Sequence, residues 1–248
     1  MEHGWRVVVL MRGGATRAST VLALNRHDVA IFDTGLPQHA AAITTALASE
    51  GLSPADVTLV FNTHAHVDHS HNNALFSHAR VFFSAEDREW TRRFHEALAA
   101  TNDPEPGALA MFYPDIADSG ASRKLIRKIA GIEKLLWDPD RWGRPGQEAH
   151  LESTPLPPGI IALATPGHSP FHVSFAIETA ERPVLVCGDA LLLHDEDQYA
   201  APMMPPWSMG HYRESQECIR RFDGLVVPGH DEPFDNHPQN STSKPPVK

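Results

Sequence analysis

The chain has 248 residues, of which 42% are hydrophobic and 21% charged, and this composition allows one large globular domain or two small ones. Its net charge of −10 argues against nucleic acid or an anionic membrane as the main partner. Cys187 and Cys218 form neither a metal-binding nor a disulfide pattern. No apolar run approaches the roughly 20 residues of a membrane helix, and no secretion signal opens the chain. We therefore expect a cytoplasmic protein that acts on a small molecule.

The first third of the chain alternates strands with a helix. Apolar and β-branched runs predict strands at 5–11, 19–24, 29–32, 57–61 and 80–84. Pro37 is expected to open a helix that continues to about Glu50, with Gly51 as the residue that ends it. This alternation is typical of an α/β fold, in which ligand sites lie at the carboxyl ends of strands.

The middle of the chain, at about 86–145, is predicted to be a helical insertion with helices at 86–100 and 122–137. Phe94, Met111, Phe112 and Trp137 are interpreted as packing residues within it, and a lid or pocket wall is the alternative. Strands are predicted again at 160–164, 171–177, 184–187 and 225–227, with a helix at 208–222. We expect a single domain over 1–235, followed by a disordered polar tail at 236–248.

Four metal-competent side chains follow the predicted strand at 57–61 within six residues: His64, His66, Asp68 and His69. In an extended chain, His64 and His66 lie two apart and point to the same side. Asp68 and His69 come where the chain should turn, so they can face a neighbouring point. Imidazole and carboxylate ligands suit Zn²⁺, with Mn²⁺ or Fe²⁺ as weaker alternatives. This segment therefore predicts two adjacent cations.

Three later residues repeat the pattern, because His168, Asp189 and His230 each follow an apolar strand and a glycine. Glycine in such a turn lets the backbone bend sharply and approach a ligand closely. Together with the first four, they make seven candidate ligands. So many imidazoles and carboxylates, packed together without a metal, would leave buried charge and unmet polar groups.

The order His-x-His-x-Asp-His, Gly-His, Gly-Asp and Pro-Gly-His resembles the metallo-β-lactamase superfamily of metal-dependent hydrolases. The match covers about residues 7–234 apart from the helical middle. The resemblance implies an α/β protein, an αββα sandwich of two sheets faced by helices, with the metal site at one rim.

The resemblance also implies a role for each candidate ligand. A first metal would be held by His64, His66 and His168, a second by Asp68, His69 and His230, and Asp189 would bridge both. Asp33 matches a family position whose side chain supports the metal ligands without binding the metal itself. A turn or capping role before Pro37 is the alternative for this residue.

The sequence departs from the family pattern at His71, where a glycine is usual, and we expect His71 to face solvent. Seven further histidines match no motif and are expected at the surface or in packing: His78, His95, His150, His172, His194, His211 and His237. Cys187 lies on an apolar strand close to Asp189 and is expected in the core.

The expected activity is hydrolysis of an ester, lactone or thioester carbonyl by a hydroxide shared between two Zn²⁺ ions, with Asp68 as a ligand that also passes a proton. The layout is similar to acyl-homoserine lactonases and glyoxalase II-type thioesterases. Leu192 stands where one group of lactonases has Tyr, and a glutathione-binding C-terminal segment is not evident. A metal-dependent nuclease or phosphodiesterase, a single-iron persulfide dioxygenase-like enzyme and a non-catalytic metal scaffold remain alternatives.

Overall fold

The structure is a computed structural model that describes residues 4–101, 105–117, 123–138, 142, 146–195 and 206–238. Its first sheet has six strands in chain order: β1 (Arg6–Met11), β2 (Thr20–Leu24), β3 (Val29–Phe32), β4 (Leu59–Phe61), β5 (Arg80–Phe83) and β6 (Glu148–His150). The strands β1, β2 and β3 pair antiparallel, whereas the pairs from β3 to β6 are parallel. The carboxyl ends of β3, β4 and β5 therefore meet at one edge.

The second sheet has five strands in the order β11–β10–β9–β8–β7: β7 (Ile160–Ala164), β8 (Val173–Ile177), β9 (Val184–Gly188), β10 (Gly224–Pro228) and β11 (Phe234–Asn236). Only β9 and β10 are parallel among the described pairs of this sheet. Both of these strands end in a Gly-bearing loop that carries a candidate ligand, either Asp189 or His230.

Helices cover the outer faces of the sheets and one rim: α1 (Ala40–Ser49), α2 (Val67–Ser70), α3 (Ala85–Ala99), α4 (Ala110–Phe112), α5 (Arg123–Leu136) and α6 (Met209–Arg220). A π-helical turn, Glu105–Leu109, precedes α4. Gly51 follows α1 with a positive φ of 76°, as expected of the residue that ends a helix. Among the described residues, no helix combines the length and apolarity needed to cross a bilayer.

The main core lies between the two sheets. Phe61 of β4 stacks on Phe32 and Phe82 of the neighbouring strands at 4.9 and 4.7 Å, and Phe175 of the second sheet meets it at 5.3 Å. On the outer face of the first sheet, buried Ile43 of α1 joins a second apolar cluster. Ile219 of α6 does the same on the second sheet. These layers confirm the predicted αββα sandwich.

Two described strands, β6 and β11, were not predicted from the sequence. Each has only three residues and contains polar side chains, so neither produces an apolar run. They lie at sheet edges and join by backbone pairing. The tail predicted at 236–248 begins within this strand, because Asn236 ends β11; His237 and Pro238 are also described, and 239–248 lies outside the described residues.

The packing roles predicted for the helical middle hold for three residues of four. Phe94 and Phe112 are buried in one cluster, and Trp137 stacks on His95 with ring centroids 4.1 Å apart. Met111, in contrast, is 72% exposed, so the packing prediction was wrong for it. The helix α4 has only three residues, and Phe112 is its buried member.

Candidate metal centre

Three ring nitrogens converge from two loops. His64 and His66 follow β4, and His168 follows β7. The Nδ1 atom of His66 lies 3.0 Å from Nε2 of His64 and 3.0 Å from Nε2 of His168. All three side chains are buried. One nitrogen from each ring therefore faces a common point, as a cation with three imidazole ligands requires.

A second group lies beside the first. Asp68 and His69 are on the single turn of α2, and His230 follows β10. The Oδ2 atom of Asp68 lies 3.3 Å from His230 Nε2 and 3.8 Å from His69 Nε2. These three side chains can offer ligand atoms to one ion.

Asp189, which follows β9, lies between the two groups. Its Oδ2 is 3.4 Å from Nε2 of His168, while its Oδ1 is 3.1 Å from Nε2 of His69 and 3.4 Å from Nε2 of His230. Each carboxylate oxygen therefore faces a different group. The structure brings all seven candidate ligands of the sequence analysis into this one place.

Outer hydrogen bonds orient the imidazoles. Nδ1 of His69 lies 2.8 Å from Oδ2 of Asp33, and Nδ1 of His230 lies 3.0 Å from the Gly14 carbonyl oxygen. A carboxylate and a carbonyl only accept, so both Nδ1 atoms carry a proton, and Nε2 keeps a lone pair in the neutral form of each ring, which is the form that binds a cation. The lone pairs therefore face the centre, as in other sites where an outer acceptor fixes the ligand tautomer.

Asp33 adopts a left-handed conformation, with φ of 54°, which costs a non-glycine residue on the order of 1–3 kcal/mol. Its carboxylate accepts hydrogen bonds from the backbone N–H and the hydroxyl of Thr63, at 2.9 and 2.8 Å, as well as from His69. The turn that begins at Pro37 has Leu36 as its N-cap. Asp33 therefore contacts the candidate ligand His69 on the side away from the centre, and it does not cap this turn.

The buried charges divide the centre into two halves. Burial opposes a charge on His69 and His230, but nearby carboxylates, Asp189 foremost, hold the pKa of His69 well above its ordinary value and raise the pKa of His230 to about 10. Burial lowers the pKa of His168 to about 3 and that of His64 well below its ordinary value. The half nearest the carboxylates thus attracts positive charge, and the other half offers neutral imidazoles.

Two orphaned atoms test whether the residues fit a metal. Nε2 of His69 and Oδ1 of Asp189 are buried 3.1 Å apart, yet neither makes an aligned hydrogen bond with a described group. Leaving such atoms unsatisfied costs about 1–3 kcal/mol each. A divalent cation would satisfy both, and imidazole with carboxylate is a donor set that such ions accept. The residues therefore fit a metal centre.

A cavity of about 120 Å³ opens onto the centre. The helical middle forms its apolar wall with Phe94, Leu109, Ile126, Ile129 and Ile132. Tyr113, Lys128 and Glu133 are the polar residues of this wall, and burial raises the pKa of Glu133 to about 7. The pocket-wall alternative for the helical middle thus agrees with the geometry, and Phe94 both packs and lines the cavity.

Comparison with protein families gives the same answer as the geometry. The model of the metallo-β-lactamase superfamily matches residues 13–230. The chain belongs to this superfamily.

One superfamily relative is metallo-β-lactamase domain-containing protein 1 of Mus musculus, which is 30% identical over 207 residues, 82% of this chain and 60% of the relative. The chain thus spans about three fifths of the length of the curated relatives that it matches first. Among the solved structures that share the fold, two serve as examples. One is a probable metal-dependent hydrolase from Staphylococcus aureus (18% identity, 95% of this chain and 94% of that one, TM-score 0.62). The other is a dizinc quorum-quenching lactonase in complex with a product (15% identity, 88% and 80%, TM-score 0.58).

Two residues that support the superfamily motif were missed by the sequence analysis. His172, expected at the surface or in packing, is buried, and its Nε2 accepts a hydrogen bond from the backbone N–H of Asp189 at 3.1 Å. Asp87 of α3 accepts from the backbone N–H of Ala65 at 2.7 Å and from the Ser169 hydroxyl at 2.5 Å. Asp87 therefore ties the loop of His64 and His66 to the loop of His168. Its only sequence signal was an acidic residue in the first turn of a helix.

The prediction that His71 faces solvent was wrong, because His71 is only 7% exposed. It ends the short helix α2, whose neighbouring residues Ser70, Asn72 and Asn73 are also buried against the strand ends. His95 is buried, whereas His78, His150, His194, His211 and His237 are exposed, as expected of surface or packing residues. Cys187 is fully buried, as predicted.

Proposed function

We propose that this protein is a dinuclear zinc hydrolase that cleaves an ester, lactone or thioester carbonyl. The observation that carries the proposal is the orientation of Asp189. Its Oδ2 lies 3.4 Å from His168 Nε2, and its Oδ1 lies 3.1 Å from His69 Nε2. A carboxylate that offers one oxygen to each of two ligand groups suits a pair of neighbouring cations.

In this proposal the seven side chains act as the superfamily resemblance implies: His64, His66 and His168 hold one zinc, Asp68, His69 and His230 hold the other, and Asp189 contributes to both. When bound, the zinc pair would supply Lewis-acid polarisation of the carbonyl and a water whose pKa is lowered toward about 7. The same ligands are also compatible with Mn²⁺ or Fe²⁺.

The protein's own groups would orient the substrate and move protons. Asp68 has the most exposed side chain of the seven, at 23%, and it lines the cavity. Its carboxylate can therefore exchange a proton with a bound substrate, which is the second role that we propose for it. The apolar wall of the helical middle would exclude water and hold an apolar acyl group against the ligands.

The apolar wall supports a carbonyl substrate more than a phosphodiester. The helical middle contributes Lys128 as the basic residue of the cavity lining, whereas most of the other residues that it contributes are apolar. The net charge of −10 also works against a nucleic acid chain. A fold shared with a dizinc lactonase is compatible with this choice.

One observation favours phosphodiester hydrolysis as a second candidate. The helix α5 carries exposed Arg123, Lys124, Arg127 and Lys128, of which Lys128 lines the cavity. A cluster of this kind attracts anionic groups even in an acidic protein. The test of function therefore includes a phosphodiester.

The experiment is a hydrolysis panel of lactone, thioester, β-lactam and phosphodiester substrates, run with zinc-loaded wild type and Asp189→Ala. We expect turnover of a lactone or thioester that is lost in the variant and abolished by chelation. Turnover of the phosphodiester alone would move the protein to the second candidate. One bound iron with oxygen consumption would contradict both.

A further inference from the structure

The helical middle holds a carboxyl group against the segment that carries the first candidate ligands. Glu133 of α5 is only 5% exposed, and it lines the cavity on a mostly apolar wall. Its Oε1 accepts a hydrogen bond from the backbone N–H of Val67 at 3.3 Å. The hydrogen bonds of the described residues give this N–H no other acceptor, and Val67 itself is buried. Glu133 matches no motif position of the sequence.

Val67 lies at the junction of the two ligand groups. His66, which precedes it, belongs to the first group, and Asp68, which follows it, belongs to the second. A movement of the peptide between His66 and Val67 changes the direction of both neighbouring side chains. A group that fixes the Val67 N–H therefore helps to set the distance between the two ligand groups.

A second contact fixes the Glu133 carboxyl group. Its Oε2 lies 3.0 Å from Nε2 of His95 on α3, and the His95 ring is held by its stack on Trp137. Burial raises the pKa of Glu133 to about 7 and lowers the pKa of His95 to about 3, so above pH 7 a carboxylate faces a neutral imidazole. Each carboxylate oxygen thus faces a nitrogen of the protein. This placement suits a residue that holds the protein more than one that binds a molecule in the cavity.

The contact of Glu133 has a counterpart two residues earlier in the same loop. Asp87 of α3 accepts from the Ala65 N–H, and Glu133 of α5 accepts from the Val67 N–H. The helical middle therefore holds alternate backbone N–H groups of this loop through two buried carboxyl groups. The residues on either side of these anchored positions are the candidate ligands His64, His66 and Asp68.

We propose that Glu133 is a positioning residue, whose carboxyl group holds the Val67 N–H and thereby keeps the two ligand groups at the spacing that a pair of zinc ions requires. This inference rests on the proposed function, because it assumes the zinc pair. Loss of an outer partner typically weakens metal binding about 10–100-fold. Glu133 acts through the backbone between two ligands, so we expect the lower end of this range.

The test compares Glu133→Ala with Glu133→Gln by zinc competition against a chelator of known affinity. Glu133→Ala removes the acceptor of the Val67 N–H. Glu133→Gln removes the negative charge but keeps an amide oxygen for this N–H, and its NH₂ group can donate to Nε2 of His95. We expect zinc to bind about tenfold more weakly to Glu133→Ala and within about threefold of wild type to Glu133→Gln.

Leu98→Ala is the matched control. Leu98 is buried in the apolar cluster that joins α3 to α5, but it lies outside the cavity lining and makes no contact with the ligand loop through Glu133. This variant should bind zinc as tightly as wild type, although it loses core packing. Equal losses of affinity in Glu133→Ala and Leu98→Ala would show a packing role only. Equal losses in Glu133→Ala and Glu133→Gln would show that charge alone matters. Either result would overturn the proposal, as would wild-type affinity in Glu133→Ala.

A measurement on metal-free protein separates this inference from the proposed function. Exchange of the Val67 amide hydrogen with deuterium, followed by NMR, should be about tenfold faster in Glu133→Ala than in wild type and close to wild type in Glu133→Gln. Equal exchange in wild type and Glu133→Ala would overturn the role of Glu133, whatever the hydrolysis panel shows. If wild type binds zinc but hydrolyses no carbonyl substrate, the proposed activity fails, and the comparison of zinc affinities still decides the role of Glu133.

Discussion

Replacement of Asp33 by Asn tests how outer hydrogen bonds orient the ligands. The Asp33 carboxylate accepts from the Thr63 N–H at 2.9 Å, the Thr63 hydroxyl at 2.8 Å and His69 Nδ1 at 2.8 Å. In Asp33→Asn, the amide oxygen can still accept from the Thr63 N–H, and the Thr63 hydroxyl can rotate to accept from the new NH₂ group. The His69 contact cannot adapt in this way, because two N–H donors would face each other.

His69 then has to lose this hydrogen bond or move its proton from Nδ1 to Nε2. A proton on Nε2 removes the lone pair that faces Asp68, Asp189 and His230. Loss of such an outer partner typically costs about 10–100-fold in metal affinity, or about 1.4–2.7 kcal/mol. We expect a loss of this size in Asp33→Asn, confined to one of the two metals, because in the proposed arrangement His69 holds only one zinc.

The assay is zinc competition with a chelator of known affinity, followed for wild type, Asp33→Asn and Asp56→Asn. Asp56 is the matched control, because its exposed carboxylate accepts from Ser53 on a turn remote from the centre. Asp56→Asn should bind both zincs as tightly as wild type. If Asp33→Asn also kept wild-type affinity for both metals, the tautomer argument would be refuted.

Three further predictions follow from other parts of the structure. Asp87→Ala leaves the buried Ala65 N–H without its acceptor, so the free energy of unfolding should fall by about 1–3 kcal/mol in denaturant titrations; an unchanged value would show that Asp87 does not hold this loop. Chelation should lower Tm reversibly by about 5–10 °C, since metal at 100 times its Kd stabilises the fold by about 2.7 kcal/mol; a Tm that ignores chelator would contradict a bound metal. Burial raises the pKa of the Cys187 thiol and Cys218 is exposed, so one thiol should react in the native protein and two after denaturation; two fast thiols in the native protein would be inconsistent with this core.

The sequence predicted the candidate ligands because residues of metal-binding type directly follow recognisable strands. The seven candidate ligands could be named because each follows an apolar strand, and strands are recognised from apolar runs. Parallel strands in a sheet bring their carboxyl ends to one edge, so residues far apart in the chain meet. Asp189 and His230 are brought together in this way, because they follow the parallel strands β9 and β10. His64 and His168 follow strands of different sheets, and they meet because the two sheets pack face to face.

The groups that surround the ligands could not be predicted for a physical reason. Glu133 and Asp87 act through single hydrogen bonds that depend on how helices pack against the rim. Packing of this kind depends on tertiary contacts and leaves no spacing pattern in the sequence. No sequence pattern distinguished His172 from the other histidines outside the motifs, although its Nε2 accepts a hydrogen bond from the backbone N–H of Asp189. The burial of His71 was not predicted, because a single-turn helix is too short to show a hydrophobic periodicity.

The most direct test of the central claim is anomalous diffraction at the zinc edge from crystals of zinc-loaded protein. We expect two peaks per chain, one among His64 Nε2, His66 Nδ1 and His168 Nε2, and one among Asp68, His69 Nε2 and His230 Nε2, with Asp189 reaching both. A map with no peak at either group, or with zinc bound only elsewhere on the chain, would contradict the claim.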